Sequence, residues 1–592
     1  MKVVFFLTLV CQWNNVFSGS ISAPNFNDPL YPLQFHLNER YGVTMNIHKA
    51  WKKGLTGKGV TICVNDPAGV DKNHDDLSSK FVVEGSFDYK TNSSDPTPDS
   101  PALYDGPLSH GNDMAGLALA KANNGKCIVG VAYDAKFSGI KHMRGSSSDP
   151  SYPKRFAHLM QYAHHINDIY LCSFGLSSSP GYVEEPIKAA LKNATEKGRG
   201  GKGSIYMFAA GNAGMFNASC GLDEYVTSVY TIAISVVTGK NVLSRQDEAC
   251  PCIHAVTYAR DLSLGLKYPH DRMPSSALQN KCKENSGASS GANAVAAGII
   301  ALVLQANPNL GWRDVQHLIA RSSCSQFSSV QWNTNKAGFK YSVNFGFGLL
   351  DADALTTNAK NWTNVGQQLE CFMALPNTPR RIDGVATITE VVDLSSWPSH
   401  CGGEGKKINF LEHVVLQFSL NFTFRANIEI EIESPGGSKS VLLRSGRYFD
   451  SLQEIKNLSV KSLQFWGEIP RGRWQIRLRN VKPDPKQNGT LYNWSVKLYG
   501  TASAPMAGNT VVASQIKINQ TSTASPPTTN KSATSNFEQS SSSMFTRSTS
   551  LLTSTDPCTN KNSKPCGSAS TKAPSLMIAA LLLVFTLFGH IV

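Results

Sequence analysis

The sequence lacks a basic helix and any nucleic-acid-binding motif, although 56 lysines and arginines against 43 acidic residues give a formal net charge of +13. The positive charge is scattered along the chain, as on a solvated basic surface, so we expect no nucleic-acid partner. Hydrophobic residues make up 41% and charged residues 17%, an ordinary balance for a globular protein. No internal repeat is visible either. A chain of 592 residues without repeats predicts two or three separate hydrophobic cores.

The N-terminus predicts secretion. Residues 1–19 combine a lysine, a short apolar core and small residues, which is the plan of a cleaved signal peptide and is too short to span a membrane. Because Cys11 leaves with this peptide, we expect the other twelve cysteines to form disulfides in an oxidising compartment. Ten N-x-S/T sequons agree with secretion, including Asn92, Asn193, Asn217, Asn361, Asn421 and Asn488.

The C-terminal part has no composition that could form a core. Residues 503–570 are dominated by Ser, Thr, Asn and Pro, which predicts a disordered, O-glycosylated stalk. Small residues and a polar spacer then precede an apolar run that reaches Val592 without a basic tail. This order is typical of a glycosylphosphatidylinositol-anchor signal over 571–592, and the alternative is a short transmembrane segment. Both interpretations place the protein in the secretory pathway and on the cell surface, or shed from it.

Two regions with different sequence patterns lie between these ends. In residues 27–360, β-branched apolar runs such as GVTICVN, SIYMFAA and YTIAISVV alternate with helical stretches, which predicts an α/β domain with a mainly parallel sheet. In residues 367–502, short alternating strands are broken by Gly, Pro and Asn, which predicts an antiparallel, jelly-roll-like β-sandwich.

Four polar residues of the α/β region have the order and context of a serine-hydrolase site. Asp66 ends a hydrophobic strand, while His110 and Ser290 each begin a helix. A serine hydroxyl needs a neutral imidazole as base, the imidazole needs a carboxylate to hold its tautomer, and Asp–His–Ser is the subtilisin order. Asn212 follows another strand and could donate its amide to an oxyanion. Each residue alone is more often a turn or helix cap, but all four in this order are poorly explained as caps.

Longer stretches around these residues are specific to one family. GRGGKGSIYMFAAGNAG, CIVGVAYDAKFSGI, AAGIIALVLQANPNLGWRDVQHLIARSS and YSVNFGFGLLDADAL resemble the kexin/furin branch of the subtilisin family, the proprotein convertases. The β region resembles that family's P (Homo B) domain through LEHVVLQFSLNF, IESPGGSKSVLL and NGTLYNWSVKLYGTA. The resemblance implies a subtilisin-like catalytic domain over 27–360 and a P domain over 367–502. It also implies a serine endopeptidase that acts on proteins or peptides without an organic cofactor.

The resemblance further implies three disulfides and a structural calcium site. The expected disulfides are Cys127–Cys282, Cys220–Cys250 and Cys371–Cys401. Carboxylates, an amide oxygen and backbone carbonyls are the hard oxygen donors that Ca2+ requires. The side chains that match the family's ligands are Asp28, Asp76 and Asn124, with the backbone carbonyls of Lys121, Lys126 and Ile128.

Two adjacent serines stand where the family's nucleophile is expected. Counting forward from Cys282, or back from AAGIIAL, places the nucleophile on Ser290 without a gap, and Ser289 then replaces the family's threonine. Pairing Gly287 with the family's glycine would favour Ser289 but needs an insertion. Ala288 otherwise stands in place of that glycine, which matters if the backbone there needs a positive φ.

The substrate cleft departs further from the family. Of the carboxylates with which convertases bind paired basic residues, the chain keeps Asp223 in LDEY, where the family has CDGY, and Glu184 near a second pocket. A second calcium site retains Glu248, and the sequon at Asn217 would place a glycan near the pocket. Other carboxylates of the cleft and of this calcium site are replaced by Pro67, Pro107, Ser178 and Ala218. We therefore expect a weakened preference for basic residues.

These observations leave two hypotheses, of which we favour the first. The first is a surface-anchored serine endopeptidase of the convertase type. The second is a catalytically impaired relative that acts as a binding or decoy protein, and an adhesion molecule using the β domain and stalk ranks below both. Only a few residues separate the signal peptide from NDPLYP, where family members carry a prodomain. Independent folding, help in trans, an incomplete gene model or relaxed selection on proteolysis would each account for this.

Overall fold

In the computed structural model, the described residues are 24–505, apart from 39–43, 100–106, 143–150, 176–182, 266–271, 377, 403–405 and 447–453. The predicted signal peptide, nearly all of the stalk and the segment 571–592 lie outside them. Within the described ranges, one helix, Ala288–Ala306, is long and apolar enough to cross a membrane. Its most apolar window is 94% buried inside the protein, so this helix belongs to the core.

A seven-stranded parallel sheet forms the centre of the α/β region. Its strands are β1 (Thr61–Asp66), β2 (Phe87–Asp88), β3 (Lys136–Lys141), β4 (Ile169–Cys172), β5 (Ile205–Ala209), β6 (Thr231–Val237) and β7 (Ile253–Tyr258). They pair in the order β2-β3-β1-β4-β5-β6-β7, and every neighbouring pair is parallel. Helices cover both faces of a parallel sheet, which explains why β1, β5 and β6 are buried along their whole length.

Eight helices and two short hairpins complete the described part of this region. The helices are α1 (Ile47–Lys52), α2 (His110–Leu119), α3 (Tyr152–Met160), α4 (Glu185–Gly201), α5 (Glu224–Thr227), α6 (Ala288–Ala306), α7 (Trp312–Ser322) and α8 (Ala352–Lys360). The hairpins pair β8 (Ser275–Ala277) with β9 (Lys281–Lys283), and β10 (Asn333–Thr334) with β11 (Lys340–Tyr341). Small residues let α6 pack closely, because a Cβ on Gly298 would lie 2.5 Å from the Cβ of Val131.

The parallel direction of the strands brings their carboxyl ends to one edge of the sheet. Asp66 is the last residue of β1, Ser173 directly follows β4, and Asn212 lies three residues beyond β5. These three strands are neighbours, in the order β1-β4-β5. Since open α/β sheets bind ligands at the carboxyl ends of their strands, this edge is the expected place for a functional site.

The β region forms a sandwich of two antiparallel sheets. Its strands are β12 (Leu369–Ala374), β13 (Arg380–Asp383), β14 (Ile388–Asp393), β15 (Phe410–Phe422), β16 (Ile428–Glu433), β17 (Lys439–Leu443), β18 (Glu454–Ser462), β19 (Arg473–Asn480) and β20 (Asn488–Thr501). One sheet has the order β12-β20-β15-β18, with β13 also pairing with β20, and the other has the order β14-β19-β16-β17. Alternate residues of β16 are buried, as expected when one face of a sheet meets the core. The predicted fold class is confirmed.

A buried ion pair joins the α/β region to the β sandwich. Arg313 of α7 donates from Nε to both carboxylate oxygens of Glu412 on β15, at 3.1 and 3.0 Å. His317, one turn along α7, contacts Oε1 of Glu412 through Nε2 at 2.8 Å, and Gln368 donates to Oε2 at 3.0 Å. Burial raises the pKa of Glu412, but Arg313 and His317 outweigh burial and hold that pKa far below its ordinary value. The carboxylate is therefore ionised and fully paired.

The cysteines depart in part from the expected pattern. The structure contains the disulfides Cys127–Cys282, Cys220–Cys250 and Cys371–Cys401. The expectation that twelve cysteines pair is wrong, because four of the described cysteines are buried free thiols: Cys63, Cys172, Cys252 and Cys324. Cys63 lies on β1 and Cys172 on β4, where a thiol packs as a small apolar side chain. Cys558 and Cys566 lie outside the described residues.

Replacing Glu412 with alanine is expected to lower the free energy of unfolding by about 3–5 kcal/mol, since Arg313 would stay buried without its carboxylate. Urea denaturation of the full chain, followed by tryptophan fluorescence, measures the change. Glu454→Ala is the control, because its ion pair with Lys456 is largely exposed and its loss is expected to cost less than about 1 kcal/mol. Equally small effects of both substitutions would show that the buried pair does not hold the two regions together.

Candidate active site

Asp66 and His110 are held together by a short hydrogen bond. His110, the first residue of α2, donates from Nδ1 to Oδ2 of Asp66 at 2.6 Å. The second carboxylate oxygen of Asp66 accepts the backbone N–H of Ala68 at 2.8 Å. Asp66 is buried, and the residues Pro67 and Ala68 that follow it form the turn that supplies this N–H. The carboxylate thus fixes the imidazole with its proton on Nδ1, which leaves Nε2 as the basic nitrogen.

The electrostatics of this pair favour a charged complex of carboxylate and imidazolium. Burial raises the pKa of Asp66, but His110 and the N–H of Ala68 outweigh burial and hold the pKa below its ordinary value. Burial lowers the pKa of His110, yet the charge and hydrogen bond of Asp66, aided by the charge of Asp113, raise it above the ordinary 6.5. Asp66 therefore makes His110 a stronger base than a solvent-exposed histidine.

Ser290 lies in the first turn of α6, close to the carboxyl end of β4. Its side chain is almost completely buried, and its Oγ donates weakly to the backbone carbonyl of Ser173 at 3.4 Å. Nε2 of His110 is buried and has no hydrogen-bond partner among the described residues. The Ser290 hydroxyl is thus not bonded to His110 in this state, as is common in free enzymes, where such bonds tighten on substrate binding.

Ser289 bonds to Asn212 rather than to the histidine. The amide oxygen of Asn212 accepts from Oγ of Ser289 at 2.8 Å and from its backbone N–H at 2.9 Å, and the N–H of Gly211 donates to the same Oγ at 3.2 Å. An amide whose oxygen is held in this way has its Nδ2 group turned to the opposite side, where it can donate. Of the two serines, Ser289 therefore orients Asn212, and Ser290 is the candidate nucleophile.

The backbone at the start of α6 has a positive φ at two successive residues, the residue before the helix and the first helical residue. Gly287 has a φ of +154°, and a Cβ there would lie 2.7 Å from the carbonyl oxygen of Arg260, so only glycine fits. Ala288 has a φ of +55°, which costs a non-glycine residue about 1–2 kcal/mol. The Ala288 N–H donates to the carbonyl of Arg260 at 2.8 Å and fixes this turn. Ala288 therefore occupies a position that does require a positive φ, where the family has glycine.

Several supporting residues were missed by the motif analysis. Asn293, one turn into α6, donates to the carbonyls of Cys172 and Met207 at 3.1 Å each and so ties the helix to β4 and β5. Asp113, one turn into α2, pairs with Lys283 at 2.5 Å and accepts from Ser109, the residue before His110, at 3.2 Å. Burial raises the pKa of Asp113 to about 6. The stretch LCSFG contains Cys172 and HGND contains Asp113, but neither stretch shows which distant residues they contact.

Asp223 and Glu184, the two carboxylates predicted to bind basic side chains, lie in different surroundings. Asp223 is buried, caps α5 by accepting from the N–H of Tyr225 at 2.8 Å, and faces Gly175, where a Cβ would lie 2.6 Å from Oδ2. Glu184 is exposed just before α4. Glu248 is buried and accepts from the N–H of Ala213 at 2.9 Å, and burial raises its pKa to about 7.

Three further positions were predicted to lie near Asp223. Of these, Ala218 is buried, and Ser178 lies outside the described residues. Nδ2 of Asn217 donates to the carbonyl of Gly446 in the β region at 2.8 Å. The Asn217 sequon therefore sits where the two regions meet.

The predicted calcium ligands converge around one buried spot. Asp28 accepts the backbone N–H groups of Asn123 and Asn124 at 2.8 and 3.3 Å, and Asp76 accepts from the Asn124 amide at 3.1 Å and from Ser276 at 2.7 Å. Burial raises the pKa of both carboxyls, and the charge of Asp28 adds to the rise at Asp76. The two close, buried carboxylates fit a divalent cation.

The loop that contains the other predicted calcium ligands is bonded to Asp76 and Asn124. Lys121 donates its N–H to the carbonyl of Asp76 at 2.9 Å, and Lys126 donates its N–H to Oδ1 of Asn124 at 3.1 Å. Ile128 is buried next to the disulfide-bonded Cys127. The loop that carries these carbonyls is thus fixed against the two carboxylates.

Two family descriptions match the chain in the two regions. The subtilase family matches residues 57–348, and the proprotein convertase P-domain matches residues 411–498. The chain belongs to the subtilase family, on its kexin/furin-type proprotein convertase branch. This confirms the family predicted from the sequence motifs.

Curated relatives and solved structures agree with this assignment. The chain is 35% identical over 492 residues to human proprotein convertase subtilisin/kexin type 6, which aligns 81% of this chain and 49% of that protein. It is 34% identical over 483 residues to furin of Rattus norvegicus, covering 80% of this chain and 58% of furin. The chain thus spans about half the length of the curated relatives it matches. A crystal structure of a serine protease of Aeromonas sobria has the same fold, with a TM-score of 0.66 at 20% identity over 82% of this chain and 97% of that one.

Ala288→Gly is expected to be about 2 kcal/mol more stable than Ala292→Gly, because glycine suits the left-handed position and disfavours the helix interior. Both alanines are buried in α6, so the two substitutions remove the same methyl group and loosen the unfolded chain equally. Denaturation of the two variants and the wild type measures the difference. Equal stability of the two variants would mean that the turn before α6 is not left-handed at Ala288.

Proposed function

We propose that the protein is a serine endopeptidase with Ser290 as its nucleophile. The observation that carries this proposal is the 2.6 Å bond between His110 and buried Asp66, at the edge of the sheet where α6 begins. Kinship with furin and with a convertase of the subtilisin/kexin type supports the same chemistry.

In the proposed reaction, His110 acts first as base and then as acid. Nε2 takes the proton of Ser290 while Oγ forms a bond to the scissile carbonyl carbon, and Asp66 stabilises the imidazolium that results. The developing oxyanion accepts from Nδ2 of Asn212, and backbone N–H groups in the first turn of α6 are available to it. The imidazolium then protonates the leaving amine as the C–N bond breaks. Water hydrolyses the acyl-enzyme by the same steps, which restores Ser290.

We also propose that a basic side chain is preferred next to the cleaved bond, but weakly. Asp223 supplies a buried carboxylate for that side chain. One of its oxygens already accepts the N–H of Tyr225, and Glu184, the second candidate carboxylate, is exposed. An exposed carboxylate contributes little to the binding of a cation. Proproteins, the substrates that the relatives' names indicate, are the proposed substrate class.

Cleavage of fluorogenic peptides that differ only in arginine or alanine before the scissile bond tests this proposal. Ser290→Ala is expected to abolish cleavage, and Asp223→Asn to lower kcat/KM for the arginine peptide about 30-fold, the equivalent of about 2 kcal/mol, with little effect on the alanine peptide. Glu184→Gln is the matched control and should change neither rate by more than about twofold.

The pH dependence of this cleavage provides a second readout. Since neutral His110 is the base and its pKa is raised, kcat/KM should fall as the pH drops, with a half-point above 6.5. Folded protein that cleaves nothing would favour the impaired, decoy-type relative. Cleavage that survives in Ser290→Ala would contradict the choice of nucleophile.

We further propose a structural Ca2+ ion at Asp28, Asp76 and Asn124. The support is the pair of close, buried carboxylates, whose mutual repulsion a divalent cation would remove. When bound, the ion would tie the N-terminal segment around Asp28 to the loop around Asn124. This is a role in stability and not in the chemical step, because the site residues belong to a different cluster from Asp66, His110 and Ser290.

Calcium is expected to raise the melting temperature of the wild type and to protect it from proteolysis, whereas a chelator reverses both effects. Asp76→Asn should abolish the calcium-dependent shift, because it removes one charge and one oxygen ligand. Glu185→Gln, which removes an exposed carboxylate with no predicted calcium role, is the control, and its shift should equal that of the wild type. A shift of the same size in Asp76→Asn would place calcium elsewhere.

We propose attachment to the cell surface through the segment 571–592. The support is its sequence alone, a terminal apolar run after small residues and a spacer, because this segment lies outside the described residues.

A further inference from the structure

Three buried cysteine side chains lie close together behind the proposed specificity pocket. Cys220 and Cys250 form a disulfide, and the thiol of Cys252 lies 2.7 Å from Sγ of Cys250. All three sulfurs are within 4.8 Å of one another. Their surroundings are apolar and include Ala210, Val226, Ala233 and Ile253. The third thiol is thus in direct contact with a sulfur that is already bonded.

We propose that Cys252 exchanges with this disulfide, so that Cys250 and Cys252 form an alternative pair and Cys220 is released as a thiol. In this step the thiolate of Cys252 attacks Sγ of Cys250, the Cys250–Cys252 bond forms, and the Cys220–Cys250 bond breaks. Cys220 leaves as a thiolate and takes up the proton that Cys252 gave up. One disulfide is present before and after, so the exchange consumes no oxidant or reductant.

The choice of the attacked sulfur follows from the distances. Cys252 contacts Cys250, and the two residues are separated only by Pro251 in a turn that precedes β7. The carbonyl of Pro251 accepts the N–H of Leu463 in the β region at 2.8 Å, which holds this turn in place. A fixed turn that already directs both sulfurs toward each other reduces the reorganisation needed to form the second bond.

Burial sets the rate of the proposed exchange. It raises the pKa of the Cys252 thiol to about 12, because the reactive thiolate is poorly solvated there. Two charged groups also shift this pKa: the Lys461 ammonium lowers it and the Asp223 carboxylate raises it. The buried Tyr341 hydroxyl also interacts with Cys252, which helps to raise the pKa of Tyr341. Exchange should therefore be slow near neutral pH and become faster as the pH rises.

Release of Cys220 is expected to loosen the backbone of the proposed specificity pocket. Cys220 begins the short turn Cys220–Leu222, and Asp223 follows this turn directly. The disulfide anchors the turn to the chain before β7, so its loss loosens the backbone that carries Asp223. This consequence rests on the proposed function, whereas the exchange itself does not.

Disulfide mapping tests the exchange without any need for catalysis. The secreted wild-type protein is held at pH 7, 8 or 9, denatured in the presence of N-ethylmaleimide at pH 6, and digested with trypsin. Residues 246–260 contain no internal lysine or arginine, so Cys250 and Cys252 fall on one peptide. We expect a fraction of this peptide to carry an internal disulfide, with Cys220 labelled, and the fraction to appear faster at higher pH. Labelling of Cys252 on every copy of this peptide, with Cys220 never labelled even at pH 9, overturns the proposal; the other free thiols, Cys63, Cys172 and Cys324, are labelled in either case.

Two serine variants sharpen the result. Cys220→Ser, incubated with oxidised glutathione as the two-electron oxidant, should form the Cys250–Cys252 disulfide, whereas Cys252→Ser, the matched control, should contain only Cys220–Cys250. If Cys220→Ser folds with both remaining cysteines labelled, the alternative pair does not form and the proposal is wrong. If Cys220→Ser is not secreted, the wild-type map alone decides, because either labelling pattern there is conclusive.

Discussion

The left-handed turn at Gly287 and Ala288 is the constraint on which the candidate site depends. It stops the preceding chain against Arg260 and begins α6 at a defined residue, which sets the direction of the next two side chains. Ser289 then meets Asn212, and Ser290 meets the end of β4. A one-residue shift in the start of this buried helix would exchange the two serines. Since α6 is packed by the sheet along its whole length, such a shift is opposed by the entire core.

The strand ends and the positions of Asp66 and His110 could be predicted from the sequence because their signals are local. Asp66 ends a run of apolar residues, so its place at a carboxyl edge follows from the parallel sheet alone. The choice of Ser290 over Ser289 followed from counting along motifs. The structure adds a physical reason, since Ser289 is engaged by an amide 77 residues away. No local pattern could have revealed that contact.

The cysteines show where sequence reasoning failed. Secretion favours disulfides, but pairing also requires two sulfurs at bonding distance, and this depends on the packing of distant strands. Cys63 and Cys172 lie on β1 and β4 and serve as small core residues. The buried pair of Arg313 and Glu412 was likewise invisible, because its partners belong to different regions of the fold. In both cases the missing information was the distance in the fold between residues that are far apart in the sequence.

Covalent labelling by a fluorophosphonate tests the central claim most directly, since such probes react only with a serine that is activated by its base. The wild type and Ser289→Ala are both expected to take up the probe, the latter more slowly because Asn212 loses its partner, and Ser290→Ala is expected to take up none. Mass spectrometry of the labelled peptide should place the adduct on Ser290. A folded wild-type protein that is never labelled, or an adduct that persists in Ser290→Ala, would contradict the account.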